Sequence, residues 1–142
     1  VVYGVGSVAG NALGGYLVDR IGANRTLLIA ATGPLPMMAA LTFLDWGPWL
    51  GGVILFLWAL QGWTIGVSQQ SRLVGLDPSR MQVLLSLNAA CMYVGAAFGS
   101  TLAGIAKSLG GTPGIGLAAL GLGLVGLAHV ALSLKLGGRR DY

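Results

Sequence analysis

The sequence predicts an all-α polytopic membrane protein with five membrane-crossing helices. Three observations lead there: a scarcity of charge, five long uncharged runs, and a lopsided distribution of Lys and Arg among the segments between them. Charged residues make up 8% of the 142 and hydrophobic residues 55%, with a mean hydropathy of +0.80. Soluble domains carry about 25% charged residues, so this composition cannot cover a water-facing surface, and lipid is the environment that accepts the excess of apolar side chains. The 25 glycines fit the same environment. Each costs roughly 1 kcal/mol relative to Ala in a soluble helix, whereas between membrane helices small residues let backbones approach closely.

The uncharged runs are Val1 to Val18, Thr26 to Leu44, Trp46 to Ser71, Met81 to Ala106 and Ser108 to Leu134, each 18 residues or longer. A hydrocarbon core of about 30 Å needs around 20 helical residues, and none of the runs shows the polarity alternation of a barrel strand. The expected helices cover about 1–21, 25–44, 48–68, 78–108 and 113–136 of a single transmembrane domain. In the first, Gly6, Gly10 and Gly14 recur at four-residue spacing, a close-packing stripe, with Ser7, Asn11 and Gly15 beside it, and Gly22 marks a left-handed end. Pro34 and Pro36 are expected to kink the second helix rather than end it. The third begins near Pro48, where the missing N–H costs nothing. Asp77 before Pro78 and Thr112 before Pro113 are expected N-caps for the fourth and fifth, with Gly110 and Gly137 at the corresponding C-termini. A second stripe, Gly95, Gly99 and Ala103 with Ala96, Ser100 and Gly104, runs along the fourth helix. Both stripes could equally be surfaces that rock during alternating access.

Arg20, Arg25, Arg72, Arg80, Lys135, Arg139 and Arg140 fall on one side of the alternating helices and Lys107 on the other. Under the positive-inside rule, the chain starts outside and its C-terminus is cytoplasmic, in a plasma membrane (a bacterial inner membrane). The first residue already lies inside an apolar run with no initiator Met, and five spans is an odd number for half of a transporter. A preceding helix is therefore expected. The net charge of +4 forms no basic face, so no nucleic-acid partner is expected. One Cys, Cys91, precludes an internal disulfide, and one His with four scattered Asp makes no metal cage or hydrolytic centre. No catalytic residue, metal or cofactor is expected, and the protein is not read as an enzyme.

The first loop reads Gly15-Tyr16-Leu17-Val18-Asp19-Arg20-Ile21-Gly22-Ala23-Asn24-Arg25-Thr26. It resembles the G-x-L-x-D-R-x-G-x-x-R signature of the major facilitator superfamily, with Gly15, Leu17, Asp19, Arg20, Gly22 and Arg25 matching and Asn24 replacing a frequent second basic residue. The resemblance implies a cytoplasmic gate loop that latches against the other half of the transporter. On physical grounds, Asp19 at a helix C-terminus is disfavoured by the helix dipole and needs compensation from Arg20, Arg25 or a neighbouring helix N-terminus. Trp58-Ala59-Leu60-Gln61-Gly62 is similar to the family's R-x-x-Q-G motif with Trp58 at the arginine position, and the fourth helix lacks the G-P pair of the antiporters' fifth helix. Both departures point to the second half. Gln70-Ser71-Arg72-Leu73-Val74, Leu87-Asn88-Ala89-Ala90 and Tyr93-Val94-Gly95-Ala96-Ala97-Phe98-Gly99 resemble the tenth and eleventh helices of bacterial drug and sugar efflux permeases of the drug:proton antiporter group.

The resemblance thus implies a five-helix half-bundle, helices eight to twelve, whose partners are membrane lipid, a small-molecule substrate and the missing N-terminal half. The implied activity is proton-coupled efflux of small solutes. Substrate-cavity candidates are Asn11, Gln61 and Asn88, polar groups that are costly in lipid and usually face an interior, and Trp58 and Tyr93 as stacking surfaces. The competing reading for the polar three is a helix-to-helix hydrogen bond worth about 0.6 kcal/mol, and for the aromatics packing or interfacial anchoring. Trp63 is a further aromatic of the same standing. His129 carries a side chain type that changes charge near neutral pH, but the implied fold puts it at the periphery. All four carboxylates, Asp19, Asp45, Asp77 and Asp141, fall in loops or the tail, so a proton-coupling acid is expected in the first half. Two other classes compete: a non-transporting membrane subunit that stabilises a complex, and an intramembrane enzyme, which would need paired catalytic groups that no run supplies.

Overall fold

A computed structural model describes residues 1–44 and 47–137. Five α-helices account for nearly all of it: α1 (Val2–Ile21), α2 (Ala23–Thr32), α3 (Pro34–Phe43), α4 (Pro48–Leu76) and α5 (Met81–Gly137), with a 3₁₀ turn at Pro78–Arg80. Asp45, Trp46, Arg139, Arg140 and Asp141, to which the sequence assigns run boundaries and tail charge, lie outside the described residues.

The ladder is interrupted between α2 and α3 at Gly33, just before Pro34 and Pro36, which withhold two N–H groups, yet Gly33 keeps helical dihedrals (φ −67°, ψ −33°), so the prolines interrupt the run without reversing it. α5 contains a sharper break. Gly111 has φ 62° and ψ −151°, a conformation that only glycine reaches without strain. Gly99 and Leu122 nonetheless line one cleft together with Met38. Along a continuous helix they would lie roughly 35 Å apart at about 1.5 Å per residue. The chain therefore reverses at Gly111, and α5 is a hairpin of a near limb (81–110) and a far limb (112–137).

Register along the glycines fixes the directions. A Cβ at Gly6 would stand 2.7 Å from the Phe56 carbonyl oxygen, one at Gly10 2.9 Å from Leu60 Cα, and one at Gly14 3.1 Å from Val67 Cβ. Rising numbers on both helices make α1 and α4 parallel, and glycine is what lets their backbones touch. Gly33 meets Gln61, while Arg25 and Arg72 share a cleft nearer the end, so α2 runs antiparallel to α4. Gly123 meets Leu35 and Gly116 meets Thr42, so α3 runs antiparallel to the far limb. The chain thus travels the length of the bundle five times.

Enclosed apolar residues are few: Leu27, Ala30 and Ala59. Outside, Trp49 is 90% exposed and Leu109 84%, the inverted distribution expected of helices solvated by hydrocarbon. The buried hydroxyls donate back to the carbonyl four residues earlier: Thr26 Oγ1 to Gly22 at 2.9 Å, Thr64 Oγ1 to Leu60 at 2.9 Å and Ser68 Oγ to Thr64 at 2.6 Å. Among the described residues, three helices are long and apolar enough to cross a membrane: Ala23–Phe43, Pro48–Leu76 and Pro78–Leu136. The last contains the hairpin. α1 is 20 residues long, but its glycines, Ser7, Asn11 and the Asp19-Arg20 end dilute its apolarity.

Several expectations need correction. The third helix continues to Leu76 rather than ending near residue 68, because nothing between Gln69 and Leu76 breaks the ladder. The reversal sits at Gly111, not Gly110, which leaves Thr112 beyond the break and without a capping bond among the described residues. Gly22 has the positive φ expected, at 85°, but its ψ of 156° is extended rather than left-handed helical. Gly137 is the last described residue of α5, and the cap expected there lies at the edge of the described residues. The near-limb stripe does not pack as the α1 stripe does: a Cβ at Gly95, Gly99 or Gly104 would meet nothing within 4 Å.

Candidate functional site

The gate-loop residues occupy the end of α1 and the start of α2. Gly14, not Gly15, presses on α4; Gly15 faces open space. Leu17 is half-buried, and Asp19 and Arg25 are exposed. The Gly22 N–H donates to the Val18 carbonyl at 2.9 Å, closing α1, and Thr26, fully buried, ties the first turn of α2 back to the Gly22 carbonyl. The two helices are thereby joined by a short stiff corner.

Asp19 finds no ion pair among the described residues. Arg20 instead lies over the Tyr16 ring at 5.3 Å, a cation–π contact that occupies it locally. The ion pair present among the described residues is Arg80 with Asp77, at 3.6 Å. Asp77 does cap the turn that follows, accepting from the Ser79 N–H at 3.1 Å and from Ser79 Oγ at 2.5 Å. Compensation of Asp19 by Arg20 or Arg25 is therefore not realised within these helices.

The five cavity candidates are dispersed. Asn11 is exposed on α1, its Nδ2 donating to the Ser7 carbonyl at 3.2 Å. Trp58 is 37% exposed and stands 6.2 Å from the Tyr3 ring with planes tilted by 51°; it also lines a cleft of about 280 Å³ with Met38, Thr42 and Ile115. Gln61 points the other way, into the notch at Gly33, where its Oε1 is buried without a hydrogen-bond partner among the described residues. Asn88 is half-buried on the near limb, its Nδ2 3.7 Å from Met92 Sδ, and Tyr93 is 78% exposed. His129 and Trp63 are exposed, on the far limb and α4 respectively.

Two polar contacts were not anticipated from the sequence. Thr64 Oγ1 donates to the Gly10 carbonyl at 3.1 Å, across the α1–α4 seam, as well as to Leu60 at 2.9 Å. Thr64 and Ser68 are four residues apart, the spacing that could have flagged a polar line facing the glycine stripe. The second is Arg72, which donates to Ser133 Oγ at 2.8 Å and to the Ser133 carbonyl at 3.3 Å. It joins the ends of α4 and the far limb, and no local pattern signals it.

An all-helical bundle with apolar spans and a charged corner at one end defines a polytopic membrane protein. The chain is 31% identical over 106 residues, 74% of its length, to the "Uncharacterized MFS-type transporter YbcL" of Bacillus subtilis (strain 168). That relative's name places it in the major facilitator superfamily, the family whose signature the loop from Gly15 to Arg25 resembles. The matched region is 27% of that relative, so the chain spans little more than a quarter of its length. No family model and no solved structure matches.

Proposed function

We propose that the chain forms helices eight to twelve, the C-terminal half, of a major-facilitator secondary transporter, and that the whole protein exports small solutes such as sugars or drugs by proton-coupled alternating access. The observation that carries this reading is the exposed Asp19 on the signature loop, without an ion pair among the described residues. A carboxylate at a helix C-terminus is disfavoured where it stands, and a latch needs it free to engage groups from outside these helices. The small share of the relative that is matched leaves room for the other half to supply them.

The near limb supports the same arrangement. It leaves Tyr93 and Gly95 uncovered, a surface over which the N-terminal half would close, with Asn88, Trp58, Tyr93 and Asn11 contributing to a midplane cavity and Gln61 held away from it at Gly33. Arg20, Arg25, Arg72 and Lys135 gather at one end, which becomes the cytoplasmic one in a plasma membrane under the positive-inside rule. Asp19 and Asp77 both sit at helix ends, so the proton-coupling acid belongs to the first half.

Asp19→Asn in the complete transporter tests the latch. A charge-assisted contact worth about 1.5 kcal/mol corresponds to about a tenfold fall in turnover, with membrane insertion unchanged. Transport at the parental rate would overturn the reading.

A further inference from the structure

Arg25 and Arg72 stand at one cleft, and neither meets a carboxylate among the described residues. The cleft, about 460 Å³, opens where α1 ends, α2 begins and the last turns of α4 and α5 converge, lined by Gly22, Asn24, Arg25, Ser71, Arg72 and Leu134 among others. The two guanidinium groups come from different helices. Arg72 is half-buried and clamped through one terminal nitrogen to Ser133. A guanidinium offers five N–H donors, and the rest of those on Arg72 have no partner among the described residues. Asp19, only a few residues away in the chain, pairs with neither arginine, and Asp77 is engaged by Arg80. A cation held partly out of water without a counter-charge is costly, which calls for an anion from outside the chain.

We infer that this cleft seats the phosphodiester head group of an anionic phospholipid, with Arg25 and Arg72 as its two counter-charges. The cleft's own rim favours a lipid over a free anion. Ile21, Leu76 and Leu134 line it alongside the polar groups, so it offers apolar surface to acyl chains and cationic surface to the phosphate. Basic pockets between membrane helices recognise acidic head groups in this way. The N-terminus of α2, which has no side-chain cap, opens at the same place and adds partial positive charge, but the cleft and the two arginines carry the inference. It rests on the chain being embedded in a membrane and is independent of the solute, the direction of transport and the leaflet.

The test is native mass spectrometry of the full 142-residue chain released from detergent with phosphatidylglycerol or phosphatidylcholine of matched acyl chains, and with inorganic phosphate as a separate arm. Phosphatidylglycerol is expected to be retained preferentially. Each arginine near a membrane surface contributes about 1 kcal/mol toward an acidic lipid, so Arg25→Gln is expected to cut that retention about fivefold. Arg72→Lys, which keeps the charge but loses the fork, is expected to cut it less. Arg80→Gln, whose parent guanidinium already faces Asp77, is expected to leave it unchanged. Arg25 is exposed, so its variant tests binding without disturbing the bundle, with helical content checked by circular dichroism. Equal retention of the two lipids, parental retention by folded Arg25→Gln, or an equal loss in Arg80→Gln would overturn the proposal. Displacement of the lipid by equimolar phosphate would overturn its lipid part and identify a free-anion site.

Discussion

At Gly10 a single methyl group would land on the Leu60 carbonyl oxygen of α4. The position sits on the α1–α4 seam, where Thr64 also bonds to the Gly10 carbonyl, so the two backbones have no slack to yield. Gly10→Ala is expected to lower stability by about 1–3 kcal/mol, the usual cost of overpacking, read as a lower midpoint in a detergent unfolding titration. Gly15→Ala, five residues on and facing open space, serves as the contrast. It is expected to be neutral or stabilising by up to about 1 kcal/mol, from helix propensity alone. Equal losses at both positions would mean that the stripe does not face α4. Sequence pattern reached the α1 stripe but could not rank its glycines, because Gly14 and Gly15 differ only in the direction they face. It also proposed the Gly95–Gly99 stripe on identical spacing, and there no atom comes within 4 Å of an added Cβ. Spacing marks a surface that can pack closely; the partner decides whether it does.

Among elements, the hairpin in α5 depends on Gly111. A side chain at φ 62° and ψ −151° is strained by about 1–3 kcal/mol. Gly111→Ala is therefore expected to destabilise the contact of Gly114 with Ala106, whereas Gly110→Ala, one residue earlier and in open space, is expected to leave it intact. Hydrogen exchange of the far-limb amides compares the two, and equal protection in both variants would rule out a turn at Gly111. That a reversal falls between the fourth and fifth runs was legible from Gly110-Gly111-Thr112-Pro113, since glycine and proline together punctuate helices. Which glycine turns was not, because both precede Pro113 and only the backbone geometry separates them. The Asp77 cap was legible for the opposite reason: Asp-Pro-Ser offers one acceptor and one waiting N–H, and no tertiary partner is needed. The Gln61 side chain lodged against Gly33 was invisible, since it joins two helices through a gap that no local pattern records.

For the whole molecule, the five passes put Ser79 and Ser108 at opposite ends. In a Cys91→Ala background, a membrane-impermeant maleimide is expected to reach Ser79→Cys from one face of a sealed vesicle and Ser108→Cys from the other. Labelling of both from the same face would dismantle the arrangement. The segregation of Arg20, Arg25, Arg72 and Lys135 from Lys107 was readable from charge alone, because topology is imposed on short loops one cation at a time. The Arg72–Ser133 tie and the cleft beside it were not. The tie joins residues 61 positions apart, and only the folded bundle makes them neighbours.

The seam between α1 and α4 has a consequence for how such a protein tolerates change. Its least replaceable positions, Gly6, Gly10 and Gly14, bear no functional group at all. A survey that searches for acids, bases and aromatics would pass over them, although they hold two parallel helices backbone to backbone. Variation is expected to be most restricted there, where there is nothing but a hydrogen atom.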